Sequence, residues 1–213
     1  MQFPSVALEE RKAFAVGHLA LGYILGKASS KLLKTNISVP AVLTLSVISD
    51  VDILIPFVQH RGPVHSVVVA FAVFVPFFVV YRRKAVPYFM ALLQHSLPSD
   101  FVAGGRIQLF WPLTTQYYGI ETSITSPANI GLEWFLFVVS MAIMFKAGDI
   151  RTFFKPHLSN LVLSVPTVTV LLPTFLSFPL YVPVSLIPPH VVYMILFIAA
   201  ITISLVGVFK ERF

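Results

Sequence analysis

Long apolar runs dominate the chain, and short polar segments separate them. A membrane-spanning helix needs about 20 mostly apolar residues, and seven stretches approach that length: 13–33, 37–58, 65–81, 86–103, 131–147, 157–178 and 187–208. The first and fourth stretches carry polar residues, whereas the last two are strongly apolar. The pattern predicts an all-α, polytopic transmembrane bundle of about seven spans. We expect one membrane domain over residues 1–213, located in the cell membrane as a multi-pass protein.

Composition supports a membrane protein. Hydrophobic residues make up 57% of the chain and charged residues only 11%, against about 25% charged residues in a soluble domain. In a membrane protein, basic residues mainly set orientation, so the formal charge of +6 predicts no nucleic-acid partner. The chain has no cysteine, which excludes disulfides, thiolate ligands and cysteine nucleophiles.

The basic residues alternate between the two ends of the predicted spans. One set of connections holds most of the 15 basic residues: Lys27, Lys31, Lys34, Arg82, Arg83, Lys84, Lys146, Arg151, Lys155, Lys210 and Arg212. Cytoplasmic loops are enriched in Lys and Arg. This predicts a cytoplasmic C-terminus and an N-terminus on the outer side.

In this orientation, most Asp, Glu and His residues lie on the outer side. The orientation is assigned from Lys and Arg alone, so this grouping does not follow from the assignment. Asp50 and Asp52 lie within an apolar stretch, where a charged residue is costly and usually faces a partner or a cavity. Residues i and i+2 do not share a helix face, so the helix must be irregular if both carboxylates reach one site. Pro98 predicts a kink that brings His95 and Asp100 together.

His18 shares a helix face with Gly22 and Gly26, at positions i, i+4 and i+8. Small residues at this spacing allow close helix packing, so His18 is expected to face the bundle. Histidine nitrogens and carboxylate oxygens are ligands of zinc, manganese and non-haem iron. The cluster therefore predicts a divalent-metal site at the outer face, with zinc as the first choice. Arg61 lies beside it and is suited to hold an anionic group such as a phosphate.

Several motifs resemble one known family. GH at 17–18, SDVD at 49–52, HRGPVHS at 60–66, HSLPSD at 95–100 and FWPL at 110–113 resemble, in that order, the membrane-bound metal-dependent hydrolases called YdjM-like proteins. The match extends over about residues 17–113, and the apolar spans over 131–208 add little to it. The spacing of His95 and Asp100 is one residue longer than the family's frequent spacing, so whether they bind the same ion stays open.

The resemblance implies phosphoester hydrolysis at protein-bound metal ions, because the family has been placed near the zinc-dependent phospholipase C and nuclease superfamily. By motif position, the implied metal ligands are His18, Asp50, Asp52, His60, His65, His95 and Asp100. We expect Asp52, His65 and Arg61 to act in catalysis, with Arg61 steadying the substrate anion. The lipid boundary suggests membrane lipid as a partner and a phosphoester or lipid-like substrate.

Two other functions stay open. The aspartate cluster could bind cations or protons in transit across the membrane. Alternatively, the metal could be purely structural in a non-catalytic membrane protein, and its coordination would then be closed.

Overall fold

The structure is a computed structural model that describes residues 15–210, apart from 56, 105, 121, 124 and 177–181. The described residues form seven helices: α1 (Ala15–Leu32), α2 (Val39–Leu45), α3 (Val67–Tyr81), α4 (Val86–Gln94), α5 (Pro127–Ala147), α6 (Leu158–Leu176) and α7 (Ile187–Lys210). The strand-like pairing among them is one isolated bridge between Ile107 and Tyr118. The prediction of an all-α protein is therefore confirmed.

Short irregular helices connect these elements. Turns of 3-10 helix lie at Ile48–Leu54, Pro63–His65, Arg82–Lys84, Asp149–Phe154 and Val184–Leu186. A π-helical segment, His95–Gly104, continues directly from α4. Within α6, a 3-10 turn and a π-helical turn alternate with short α-helical pieces.

Three helices in the described part of the chain are long and apolar enough to cross a membrane, namely Pro127–Ala147, Leu158–Leu176 and Val184–Lys210. The structure therefore does not support seven such spans. The predicted span 37–58 divides into α2 and a 3-10 turn, and 86–103 divides into α4 and the π-helical segment. The helix within 65–81 has 15 residues, or about 22 Å against a hydrocarbon core of about 30 Å. The helix within 13–33 carries two lysines and a histidine, and it is not among the helices that are apolar enough to cross a membrane.

Helix α1 lies at the centre of the bundle and packs against α4 and α5. Its glycines, as predicted, allow close packing against α2 and the residue that follows α2: a Cβ added at Gly22 would clash with the Ser46 Cβ, and one at Gly26 would lie 2.8 Å from a Val42 methyl. In the same part of α1, Asp149 accepts a hydrogen bond from the Tyr23 hydroxyl at 2.8 Å and pairs with Lys27 at 2.6 Å. These contacts fix α1 relative to the turn that follows α5.

Helix α3 packs mainly against α4, where Phe74 stacks on Phe89 with ring centroids 4.1 Å apart. Most of its other side chains are apolar and exposed. It begins at Ser66, whose hydroxyl oxygen accepts from the amides of Val68 and Val69. This N-cap fixes the start of α3 directly after His65.

Candidate metal centre

The seven predicted metal ligands lie together in the structure. They come from α1, from the Ile48–Leu54 turn, from the loop that ends at Pro63–His65, and from the π-helical segment. Six of them are at most 6% exposed, and His60 is half-buried. The residues are His18, Asp50, Asp52, His60, His65, His95 and Asp100.

Irregular backbone makes this convergence possible, as the sequence predicted. Asp50 and Asp52 lie on a 3-10 turn instead of a regular α-helix. Leu97 interrupts the π-helical segment with φ −132° and ψ 116°, next to Pro98. The kink brings His95 Nε2 within 3.5 Å of Asp100 Oδ2, so the longer spacing between these two residues does not separate their side chains.

His65 lies at the centre of the cluster, and its two ring nitrogens face different carboxylates. Nδ1 is 3.3 Å from Asp52 Oδ2. Nε2 is 3.3 Å from Asp100 Oδ2 and 3.6 Å from Asp50 Oδ1. Beyond Asp52, the Nδ1 atom of His60 lies 2.9 Å from Asp52 Oδ1. The imidazole of His65 thus separates one group around Asp52 from another around Asp50 and Asp100.

A hydrogen bond to a backbone carbonyl orients His95. Its Nδ1 donates to the Ser46 carbonyl over 3.0 Å, so Nε2 is left to accept a proton or a metal. A metal-binding histidine commonly donates its other ring N–H in this way, which fixes the ring and its tautomer. His95 Nε2 lies 3.2 Å from Asp50 Oδ1 and 3.1 Å from His65 Nε2.

Gln94 supports the same region, and this role was not predicted. Its amide Nε2 donates to the carbonyls of His18 and Ser46 over 3.1 and 3.0 Å, and its Oε1 accepts from Ser99 Oγ over 2.8 Å. One buried side chain therefore joins α1, the end of α2 and the π-helical segment. A glutamine inside an otherwise apolar helix is the sequence signal that could have suggested it.

The cluster fits divalent metal ions. Each of three overlapping groups places one potential ligand atom per residue within 4.8 Å of the others: His18, His95 and Asp100; Asp50, His65 and His95; Asp52, His60 and His65. Two nitrogens on one tetrahedral ion lie about 3.3 Å apart, given bonds of about 2.0–2.1 Å. The 3.1 Å between His65 Nε2 and His95 Nε2 is close to that distance.

Several buried polar atoms of the cluster also lack a hydrogen-bond partner within the described residues. Buried polar atoms are normally hydrogen-bonded, and the ion-pair contacts of 3.2–3.6 Å here are too poorly aligned to count as such bonds. Metal ions bound on the two sides of the His65 ring would satisfy these atoms. They are both carboxylate oxygens of Asp50, Oδ2 of Asp52, Oδ2 of Asp100, Nδ1 of His65 and Nε2 of His60.

The charges in the cluster favour ionised carboxylates. Burial alone would raise the pKa of Asp52, but its contacts with His60 and His65 hold that pKa below the ordinary value. Burial alone would lower the pKa of His65, but its contacts with Asp50 and Asp52 raise it to about 10. Without a metal, His65 is therefore protonated on both ring nitrogens at neutral pH, and both protons must leave if both nitrogens bind metal.

Arg61 follows His60 in a left-handed backbone conformation, with φ 61°. Its carbonyl accepts from the Gln108 amide over 3.0 Å, which ties the His60–Ser66 loop to the 107–111 segment. The side chain is half-buried. Its assignment to a substrate anion stays a prediction.

Glu133 lies outside the three metal-ligand groups. It extends from α5 and accepts a hydrogen bond from the Gly17 amide in the first turn of α1, over 2.5 Å. Amides in the first turn of a helix have no partner within the helix. Glu133 therefore caps α1 from a neighbouring helix, immediately beside His18.

Comparison with known proteins gives one family. The family described as "YdjM inner membrane protein" matches residues 14–212. No curated protein and no solved structure matches the chain.

Proposed function

The chain belongs to the YdjM inner membrane protein family, and from that premise we propose that it is a membrane-embedded, metal-dependent hydrolase. The proposed substrate is a phosphoester or a lipid-like ester, and the proposed cofactor is a divalent metal, zinc before manganese or iron. One observation carries the proposal. Seven buried or half-buried His and Asp side chains converge on one site with unpartnered oxygen and nitrogen atoms.

The ligand geometry favours two ion positions. His95 has a single nitrogen left for a metal because its Nδ1 bonds Ser46. The two groups that use His95 must therefore share one ion, held by Nε2 of His95 together with His18, Asp100, Asp50 and Nε2 of His65. The second ion would bind Asp52, His60 and Nδ1 of His65. Paired divalent ions are common in enzymes that displace phosphoesters.

A divalent metal supplies Lewis acidity toward a phosphoryl oxygen and a nucleophile at neutral pH. The protein's own groups would do the rest. Asp52 would be the general base: one of its carboxylate oxygens would hold the metal, and the other would accept a proton from the attacking water. Arg61, one residue after His60, would hold the substrate anion with its guanidinium group.

The test combines metal content with hydrolysis. We expect the detergent-purified protein to retain transition metal and to cleave a phosphomonoester, a phosphodiester or a phospholipid. His65→Ala and Asp52→Ala should lose both properties. His157→Ala is the matched control, because His157 is exposed and caps its own local turn through Ser159. Wild-type hydrolysis in both cluster variants would refute the proposal.

Two alternatives predict different outcomes. If the metal is only structural, chelation should lower the unfolding temperature and no substrate should be cleaved. If the aspartates carry cations or protons across the membrane, proteoliposomes should show a flux that Asp50→Asn and Asp52→Asn abolish. Metal-dependent hydrolysis without flux would exclude both alternatives.

We also propose that the metal centre faces the outer side, with the Lys- and Arg-rich turns in the cytoplasm. The chain has no cysteine, so a single introduced cysteine can report on which side of the membrane its position lies. Gln59→Cys lies in the exposed loop before His60, and Arg83→Cys lies in the exposed basic turn. In intact cells, a membrane-impermeant maleimide should label the first position and not the second. The reverse labelling pattern would refute this orientation.

A further inference from the structure

A second feature of the molecule is an apolar cavity of about 490 Å³ between α3 and α4. Its walls are aliphatic and aromatic side chains: Leu45, Val73, Phe74, Phe77, Phe89 and Leu92. The α3 side chains are partly open to the surroundings, since Val73 is 51% exposed and Phe77 is 54% exposed. The exposed side chains around the opening are apolar, so the opening is suited to lie against hydrocarbon, and an apolar cavity does not hold ordered water. An acyl chain is the ligand that fits these walls.

The far end of the cavity is polar and cationic. Lys84 lines it, together with Asn36, Tyr81 and Tyr88. Lys84 belongs to the Arg82–Lys84 turn, in which three consecutive basic side chains are exposed. Among the described residues, no carboxylate pairs with these three side chains; the one lysine–carboxylate pair there joins Lys27 and Asp149.

Tyr88 adds a hydrogen-bond donor at the same end. Its phenolic oxygen accepts from the Ser38 amide over 2.8 Å, which leaves its O–H to donate. A cationic side chain and a hydroxyl group beside an apolar cavity are the groups that a phosphate with an attached acyl chain requires.

The polar end is remote from the metal centre. Helix α4 runs from Val86, beside Lys84, to Gln94, and His95 follows it. At 1.5 Å per residue, Lys84 lies roughly 16 Å from His95 along the helix. The apolar end, at Leu92, stops one helical turn before His95. A lipid with its phosphate at Lys84 therefore extends its chain toward the His/Asp cluster and keeps its ester groups away from it.

We propose that the α3–α4 cavity binds one anionic phospholipid, with its phosphate at Lys84 and an acyl chain along Val73, Phe77 and Leu92. By the distribution of Lys and Arg, this end of the molecule faces the cytoplasm, where the leaflet carries anionic lipid. The lipid is a resident ligand that fills the gap beside α3. This proposal does not depend on hydrolysis at the metal centre.

Lipid binding by the full-length protein in detergent tests the proposal. Native mass spectrometry would measure binding of dioleoyl phosphatidylglycerol and of dioleoyl phosphatidylcholine. We expect the wild type to prefer phosphatidylglycerol. Lys84→Gln should weaken phosphatidylglycerol binding about fivefold, since one basic residue near anionic lipid contributes about that factor, and should leave phosphatidylcholine unaffected. Lys155→Gln, also exposed in a basic connection, is the control.

A second pair of variants tests the cavity itself. Val73→Trp would fill it and should weaken binding of both lipids. Val79→Trp is the matched control, because Val79 lies on the same helix with a similar exposure of 57% but outside the cavity lining. Equal binding of the two lipids by the wild type would overturn the anionic assignment. Equal effects of Val73→Trp and Val79→Trp, or of Lys84→Gln and Lys155→Gln, would overturn the site.

Discussion

The contacts of Gln94 lead to a specific prediction about the metal centre. Gln94 is 1% exposed, and its three hydrogen bonds join the backbone of His18, the backbone of Ser46 and the side chain of Ser99. Leucine has a similar size but forms none of these bonds. Each bond contributes about 0.5–1.5 kcal/mol, so Gln94→Leu should lower the free energy of unfolding by about 2–4 kcal/mol.

The same substitution should weaken metal binding. Gln94 does not bind metal in the proposed centre, but it holds the backbone of His18 and the carbonyl that orients His95. Loss of such supporting bonds typically lowers metal affinity by about 10–100-fold. Competition with a chromogenic chelator would measure the affinity, and thermal unfolding in detergent would measure the stability. Unchanged zinc affinity in Gln94→Leu would refute the supporting role.

A matched control separates metal binding from general stability. Asn160 is also fully buried, and its Nδ2 makes three hydrogen bonds of 2.9–3.1 Å to Thr152, Lys155 and Ser204. None of these partners belongs to the metal centre. Asn160→Leu should therefore lower stability by a similar amount and leave metal affinity near that of the wild type. An equal loss of affinity in both variants would show that affinity follows stability alone.

Three further predictions concern pH, helix capping and helix packing. Because the pKa of metal-free His65 is raised to about 10, metal must displace protons from its ring. Affinity should therefore rise from pH 6 to 8 by about tenfold per pH unit for each proton displaced, and a pH-independent affinity would contradict this. Glu133→Leu removes the acceptor for the Gly17 amide and should cost about 1–3 kcal/mol in chemical unfolding, whereas Glu133→Gln, which keeps an acceptor, should cost less. Gly22→Ala should destabilise the protein by about 1–3 kcal/mol, because the added Cβ would clash with Ser46. Gly131→Ala is the control, since a Cβ at Gly131 has no atom within 4 Å, and equal unfolding temperatures for the two variants would contradict the close packing.

The residues of the candidate site could be predicted from the sequence, but the number of spans could not. Charged and imidazole side chains are rare in apolar segments, so the Asp50–Asp52 pair and the HRGPVHS loop were conspicuous. Hydropathy averages over a window and does not detect where a helix ends. The 37–58 stretch is apolar throughout most of its length, yet α2 ends at Leu45 and a 3-10 turn follows.

The supporting contacts could not be predicted for a different reason. Gln94 and Glu133 act through backbone groups of α1, which are distant from them in sequence. Any backbone carbonyl or amide can accept or donate, so the sequence gives no sign of which one is used. The positions of the glycines were more informative, because Gly22 and Gly26 repeat at helical spacing on the face that carries His18.

The helix breaks and the metal centre have a common physical basis. Backbone polar groups at membrane depth must find partners within the protein, and a helix that ends early leaves carbonyls without their usual partners. At the end of α2, the Ser46 carbonyl accepts from both Gln94 and His95. The side chains that satisfy this backbone are thus the ones that orient a proposed metal ligand. A substitution at either position should therefore reduce stability and metal affinity together.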